Sequence, residues 1–533
     1  MLFTKQTLSV EETGLFSGLF NNYLKQDDSI KSFYEFHFDK RGFESFIGSR
    51  NFDKLNRGVL VEALLKQANL VTNTSSKTIA NINLLANENT YTVTTGHQLC
   101  LFTGPMYFVV KIISTINLAK ALQQQFPDKH FVPVYWMASE DHDFEEINHI
   151  HTFGKKLIWE TEQKGSVGEF NTSTVNVVLE ELKQILGDNE NAKELITLFE
   201  KSYLNHTNLA DATRYLVNEL FAEYGLVVVD GNDIQLKSLF KDEFKQDIFE
   251  EKSFGLVSQT INQLKEKYNI QVNPREINVF YKTTQLRERI ERDGDVYKVV
   301  NTNIVFTKQQ LENIIENEAD KLSPNVVLRP MYQQKILPNI AYVGGPGELA
   351  YWLEFKAMFN AYDINFPVLT PRHFVMMVDK GTQNKMNKLN LTLTDVFKDG
   401  EDLVKRFIKT QHADVHLETE KQKLIGIYAD VLKLVEGIDK TLVGSTEAEK
   451  QKALNGLAML EQKVNRALKQ KSETDINQIW SVKGKLFPNN TPQERWDNFT
   501  MYYTKYGKAL IENLAVNLGY DLKTFDYIVL SEN

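Results

Sequence analysis

The sequence predicts an α/β protein: a doubly wound core carrying insertions, followed by an antiparallel helical hairpin. Three observations predict it. Strand-length apolar runs alternate with helical ones over roughly the first 385 residues, the pattern of a parallel sheet wrapped by helices. The tract from Arg372 to Phe487 holds none of the chain's 12 prolines, and proline costs about 3 kcal/mol inside a helix, so long helices are permitted there. Two stretches, 152–205 and 250–328, are more polar than their surroundings and read as insertions into the core.

The elements follow in order. Tyr91-Thr92-Val93-Thr94-Thr95 is the first strand, leading through a glycine-containing turn to an apolar helix from Met106 to Gln125. Phe131–Met137 is the second strand. A helix over Ala210–Tyr224 feeds the third, Leu226–Asp230. Ile340–Val343 and Pro367–Thr370 are later strands, flanking a helix over Glu348–Asn360. The second insertion contains a hairpin signal, Arg292-Asp293-Gly294-Asp295. In the proline-free tract Leu424, Ile427, Tyr428, Val431, Leu434, Val435 and Ile438 recur at helical spacing, as do Leu454, Leu457, Leu460, Val464 and Leu468. Gly444 is suited to end the first helix, and Thr446 with Glu449 to cap the second. The result is a hairpin over 415–473 with a coiled-coil seam and Lys/Glu/Gln-rich outer faces. The expected domains are a core over 1–385, a helical coiled-coil domain over 386–475, and a C-terminal segment, 476–533, packing back on the core.

Composition narrows the function. Hydrophobic residues make up 42% and charged residues 25% of 533, which is ordinary globular usage. With 61 basic and 70 acidic side chains the net charge is −9, so no basic footprint for nucleic acid exists. A single cysteine excludes an intramolecular disulfide and suits a reducing cytoplasm, the expected location. The start, Met1–Gln6, lacks a basic segment followed by an apolar one, and no run approaches the ~20 apolar residues of a membrane span. Small-molecule partners are expected, with neither nucleic acid nor membrane.

Ligands of open α/β sheets bind beyond the carboxyl ends of the strands, and three such ends carry unusual residues. The first runs from Thr94 to Pro105 and holds Gly96, His97, Gln98, Cys100 and Gly104. It lacks the Lys-Ser/Thr of a P-loop; it reads equally as an anion-binding helix start or a plain turn. The second is Glu140-Asp141-His142-Asp143-Phe144-Glu145-Glu146, where five of seven residues are acidic and His142, His149 and His151 cluster. An acidic helix start accounts for Glu145 and Glu146, but Glu140–Asp143 directly after a buried strand suit general acid–base work. No recognised ligand spacing points to a metal. The third, Gly344-Gly345-Pro346-Gly347-Glu348, lets backbone approach a ligand closely. Arg329, Arg372 and Arg495 near strand ends are candidates for holding anionic groups, because guanidinium pairs carboxylate bidentately.

Four segments in this order, TTGHQLCLFTGPMYFVVKI (94–112), VPVYWMASEDHDFEEINH (132–149), YVGGPGELAYW (342–352) and KLFPNNTPQERWDN (485–498), resemble the cysteine-adding enzyme family of bacillithiol biosynthesis across essentially the whole chain. The resemblance implies a Rossmann-like core similar to class I aminoacyl-tRNA synthetases, with connecting-peptide insertions and a coiled coil that makes a homodimer. It implies a ligase that adds cysteine to glucosaminyl-malate in the last, amide-forming step. It leaves the energy source open; ATP and magnesium enter only by analogy with other ligases. Family members often carry Gly-Gln-Gln where this chain has Gly96-His97-Gln98, and glycines that are absent before Gln493-Glu494-Arg495. Gln98 is therefore a firmer candidate than His97.

Chemistry then distributes roles. Gly96, His97 and Gln98 contact an activating or acyl oxygen, with Gly104 in the same turn. Asp141, His142 and Asp143 orient the cysteine ammonium or glucosamine amine and move its proton. Gly344–Gly347, with Gly345 among them, admit the sugar, Arg329 or Arg372 pairs with the malyl carboxylates, and Glu140 and Glu348 complete the substrate- or nucleotide-binding set. Two rivals stand beside this reading: a metal-dependent hydrolase using the Glu140–His151 block, and a non-catalytic coiled-coil scaffold.

Overall fold

A computed structural model of the chain describes residues 3–50, 52–411, 417–519 and 522–530. At its centre lie β1 (Thr90–His97), α1 (Tyr107–Gln125), β2 (His130–Met137), α2 (Leu209–Phe221), β3 (Val227–Asp230), α3 (Leu328–Ile336), β4 (Asn339–Gly344), α4 (Pro346–Trp352) and β5 (Val368–Pro371). The five strands are all parallel and ordered β5-β4-β1-β2-β3. Helices cover both faces, which is why the strands read as continuous apolar runs rather than alternating ones. The threonine-rich β1 is nonetheless buried throughout. Its hydroxyls are satisfied internally: Thr92 and Thr94 donate to Asn339 Oδ1, and Thr95 donates to the Val343 carbonyl.

From β1 the chain passes to β2 on one side, and from β4 to β5 on the other. Neighbouring β1 and β4 thus form the switch point of the sheet, the place where such folds open a crevice. All five strands expected from the sequence are present. The helix expected over 348–360 is two, α4 and a turn-length helix Lys356–Ala361, parted at Leu353–Phe355, where Glu354 turns inward and is buried.

The second insertion folds as a five-stranded antiparallel sheet built from strands within 279–324. Its turn at Arg292–Asp295 joins Leu286–Asp293 to Val296–Val299, with Gly294 at φ 62°. A third sheet pairs Thr4–Ser9 with Thr524–Leu530, which neighbours Phe374–Asp379.

The chain divides into two units, 1–377 with 491–533, and 378–490. In the second unit α5 (Glu418–Ile438) and α6 (Val443–Lys471) form the hairpin. Its turn lies earlier than the sequence suggested. Asp439 accepts from Thr441 N and starts a short 3-10 turn, while Gly444 and Thr446 fall inside α6 and the Thr446 hydroxyl donates back to the Leu442 carbonyl. The apolar residues of α5 also divide into two stripes. Leu424, Tyr428 and Val435 are half-buried. Ile427, Val431, Leu434 and Ile438 are 41–73% exposed, so one outer face is apolar rather than charged. Among the described residues no helix is long and apolar enough to cross a membrane.

Candidate active site

At the carboxyl ends of β1, β2 and β4 opens a cleft of about 680 Å³, within the size range of small-molecule sites. Gly96, which ends β1 with His97, is a site of close approach: a Cβ there would lie 3.2 Å from the Tyr342 hydroxyl and 3.7 Å from Arg329. Helix α1 starts beyond the turn and is buried along most of its length. Lys111, set between Val109-Val110 and Ile112-Ile113, is therefore carried into the interior, where it is 3% exposed. Its ammonium donates to the Gly96 carbonyl and pairs with Glu348 at 2.6 Å. The Tyr342 hydroxyl and the Gly345 N–H also donate to Glu348, at 2.7 and 2.8 Å. Burial opposes ionisation of Glu348, but Lys111 and these donors outweigh it and hold the carboxyl below its usual range. The loops after β1 and β4 are thus tied together by one carboxylate.

His97 lies over Tyr107, ring centroids 5.2 Å apart, and its Nδ1 is 3.0 Å from the Gln98 carbonyl. A carbonyl only accepts, so Nδ1 carries the proton, and Nε2 is a buried acceptor with no partner among the described residues. Burial, reinforced by Lys111, pulls the imidazole down to about 3, so it is neutral at physiological pH. The Gln98 amide donates to Asp141 Oδ2 at 2.8 Å and Glu146 Oε2 at 2.9 Å, clasping two carboxylates on one wall. Glu140 pairs at 2.5 Å with Lys237, which is fully buried.

The cleft is also lined by cations. Arg275, Arg329 and Arg495 line the cleft, and among the described residues none has a carboxylate within ion-pair distance. Arg329 donates to Gln333 Oε1 at 3.1 Å. Arg372 also lines the cleft, yet its two Nη atoms are taken by Glu494 at 2.7 and 2.9 Å, and the pair is 2–3% exposed.

Of the residues expected from the sequence, Gly96, His97, Gln98, Glu140, Asp141, Gly345, Gly347, Glu348, Arg329 and Arg372 meet in this cleft. Four do not. The His142 Nδ1 accepts from Arg287 at 2.6 Å, and burial together with that guanidinium lowers its pKa. Asp143 is exposed at the start of the short helix Phe144–Ile147. Gly344 packs beneath α4, with Leu349 3.0 Å from where its Cβ would be. Gly104 has φ 66° and a Cβ there would meet the Cys100 Cβ at 2.6 Å, so it shapes the turn. The Cys100 thiol beside it is buried and pushed up to about 12. His151 stacks on Trp496 at 3.9 Å. Among the described residues no group of three or more His, Cys, Asp and Glu is placed to hold a metal ion.

Sequence reasoning missed Lys111, Tyr342 and Arg275. For Lys111 a signal existed: a lysine inside an otherwise apolar helix next to a glycine-rich strand end. Arg275 comes from the second insertion, and no local pattern ties it to β1.

The cleft brings together guanidinium groups for an anion and carboxylates for an ammonium, which suits a dipolar or two-component substrate. The comparisons with known proteins agree in extent and order. The N-terminal Rossmann-like domain of the bacillithiol biosynthesis BshC family matches residues 3–373, and its C-terminal coiled-coil domain matches residues 375–527. Proteins named "Putative cysteine ligase BshC" are similar along nearly their whole length. That of Flavobacterium johnsoniae is 43% identical over 96% of this chain and 97% of its own. That of Flavobacterium psychrophilum is 41% identical over 98% of each. That of Bacillus cytotoxicus is 28% identical over 93% of this chain and 95% of its own. With a Rossmann-like sheet, a helical hairpin and family models matching both in turn, the chain belongs to the bacillithiol biosynthesis BshC family.

Proposed function

We propose that the cleft joins the carboxyl group of cysteine to the amine of glucosaminyl-malate, the amide-forming last step of bacillithiol synthesis. The observation that carries this reading is that one cleft holds both carboxylates clasped by Gln98 and three arginines, Arg275, Arg329 and Arg495, without an ion pair among the described residues. Malate supplies two carboxylates for Arg275, Arg329 and Arg495. The amine supplies an ammonium for Asp141 and Glu146. One of these carboxylates takes a proton from the ammonium, the freed amine attacks the activated cysteinyl carbonyl carbon, and the acyl C–O bond breaks as the activating group leaves with its electron pair; Gln98 fixes both carboxylates in place. The backbone of Gly345–Gly347 borders the acyl group. Arg372, occupied by Glu494, supports the wall instead of binding substrate.

The metal-hydrolase alternative needs the Glu140–His151 block to converge on one ion. Its members point apart instead: Glu140 to Lys237, His142 to Arg287, His151 to Trp496. Purified protein incubated with glucosaminyl-malate and cysteine, with and without ATP and magnesium, tests the reading by mass spectrometry. A product lighter than the summed substrates by one water supports it. Absence of that product in every condition refutes it.

A second copy of the chain is the partner inferred for the hairpin. Ile427, Val431, Leu434 and Ile438, spaced 4-3-4 and exposed, form the apolar seam of a further helix contact.

A further inference from the structure

Between Tyr268 and Ile277 the chain runs without helix or strand. Asn273 and Arg275 of this strap line the cleft, and residues 269, 271, 273, 275 and 276 are exposed. Lacking a ladder of its own, the strap is held by side chains from elsewhere. At its start the Tyr268 hydroxyl accepts from Asn22 at 2.7 Å. At its end Asn278 accepts from Arg275 N at 3.1 Å and donates to the Arg275 carbonyl at 2.7 Å, while its own N–H donates to the buried Asp247 at 2.6 Å. The middle depends on Glu354. Its carboxylate accepts from the Gln271 N–H at 2.9 Å, and the Val272 N–H beside it also favours the charged form.

Glu354 is an expensive residue for that place. It is 1% exposed, has no ion pair among the described residues, and its Oε2 has no hydrogen-bond partner. Burial pushes its pKa up to about 7, and the two strap N–H groups are what oppose that. A buried carboxylate without a cation destabilises the fold; packing alone would be better met by an apolar side chain. The contacts its oxygens make are to the strap.

We infer that Glu354 is a positioning residue: it anchors the 269–276 strap so that Asn273 and Arg275 cover the cleft and set affinity for the acidic substrate. The substrate part of this inference rests on the proposed function; the anchoring part does not. Glu354→Ala, Glu354→Gln and Arg275→Ala in the full chain test it by hydrogen exchange and by steady-state kinetics with glucosaminyl-malate.

Glu354→Ala should abolish protection of the Gln271 amide. It should raise KM about tenfold, the effect of losing one charge-assisted hydrogen bond, with kcat within about twofold. Glu354→Gln, which keeps an acceptor oxygen, should restore most of both. Arg275→Ala should raise KM similarly without touching a buried group, and adding Glu354→Ala to it should raise KM little further. Unchanged amide protection in Glu354→Ala overturns the anchor. A fall in kcat at constant KM, or full additivity with Arg275→Ala, overturns the substrate role. If the wild-type chain does not turn over glucosaminyl-malate, the proposed function has failed, and the exchange result still decides the anchor.

Discussion

Arg372 separates two accounts of the cleft. As a substrate ligand it would be dispensable for folding; as the partner of Glu494 it would be indispensable. The geometry favours the second. Both Nη atoms bind Glu494, which also accepts from the Val375 N–H at 2.9 Å, and the two side chains are 2% and 3% exposed. Arg372 further lies over Phe374, 4.8 Å from its ring centroid. Arg372→Met keeps the packing but leaves a buried carboxylate with one backbone donor, at a cost of about 3–5 kcal/mol. The unit involved has about 420 residues, for which the unfolding entropy is roughly 0.9 kcal/mol/K, so the melting temperature should fall by about 3–6 °C. Replacing both residues with methionine should recover most of that loss, because an apolar pair of similar volume roughly matches a buried ion pair. Calorimetry on the wild type, the two single variants and the double variant completes the cycle. An Arg372→Met protein that melts like the wild type and fails only in binding glucosaminyl-malate would refute the structural role.

Other perturbations follow from the same geometry. His97 titrates near 6.5 when unfolded and about 3 when folded, so the unfolded chain binds more protons below pH 6.5 and stability falls as pH drops from there towards 3. The loss reaches about 2 kcal/mol by pH 5, and urea midpoints at pH 7 and pH 5 should lie closer together in His97→Gln than in the wild type. Asp141→Ala should lower turnover by roughly 10²–10⁴-fold while the melting temperature moves by about 1 °C at most, since Asp141 is only partly buried; unchanged turnover removes it from the mechanism. Leu434→Lys with Ile438→Lys should convert a dimer to a monomer in sedimentation at micromolar concentration, and a wild type that already sediments as a monomer removes the dimer. Gly104→Ala should destabilise by about 1–3 kcal/mol, because position 104 combines positive φ with a 2.6 Å clash; a urea midpoint equal to wild type would contradict the strain.

The five parallel strands were legible because burial on both faces favours short runs of apolar and β-branched residues between turn signals, threonine standing in for valine in β1. The hairpin was legible in kind but not in detail. Gly444 and Thr446 look like turn residues in isolation, and the Asp439 cap, four residues after Val435, starts the turn first. One periodic list of apolar residues hid two stripes, since spacings of three and four are shared by the inner seam and by its neighbouring outer face. At the site, a run such as Glu140–Asp143 states composition but not direction. Just after a strand, successive side chains diverge: Asp141 turns to Gln98, His142 to Arg287, Asp143 to solvent.

Glu348 shows most clearly what spacing could not supply. As a residue in the first turn of a helix it reads as a response to the helix dipole. In the fold that same position brings it within reach of Lys111, Tyr342 and the Gly345 N–H at once. Because Lys111 also holds the Gly96 carbonyl, the carboxylate couples the ends of β1 and β4, and so fixes the spacing between the two loops that any substrate must bridge. Lys111 and Glu348 neutralise one another at 2.6 Å, whereas among the described residues Arg275, Arg329 and Arg495 have no carboxylate within ion-pair distance. The cleft therefore combines an ion pair that ties two loops together with arginines whose charge an anionic ligand would meet.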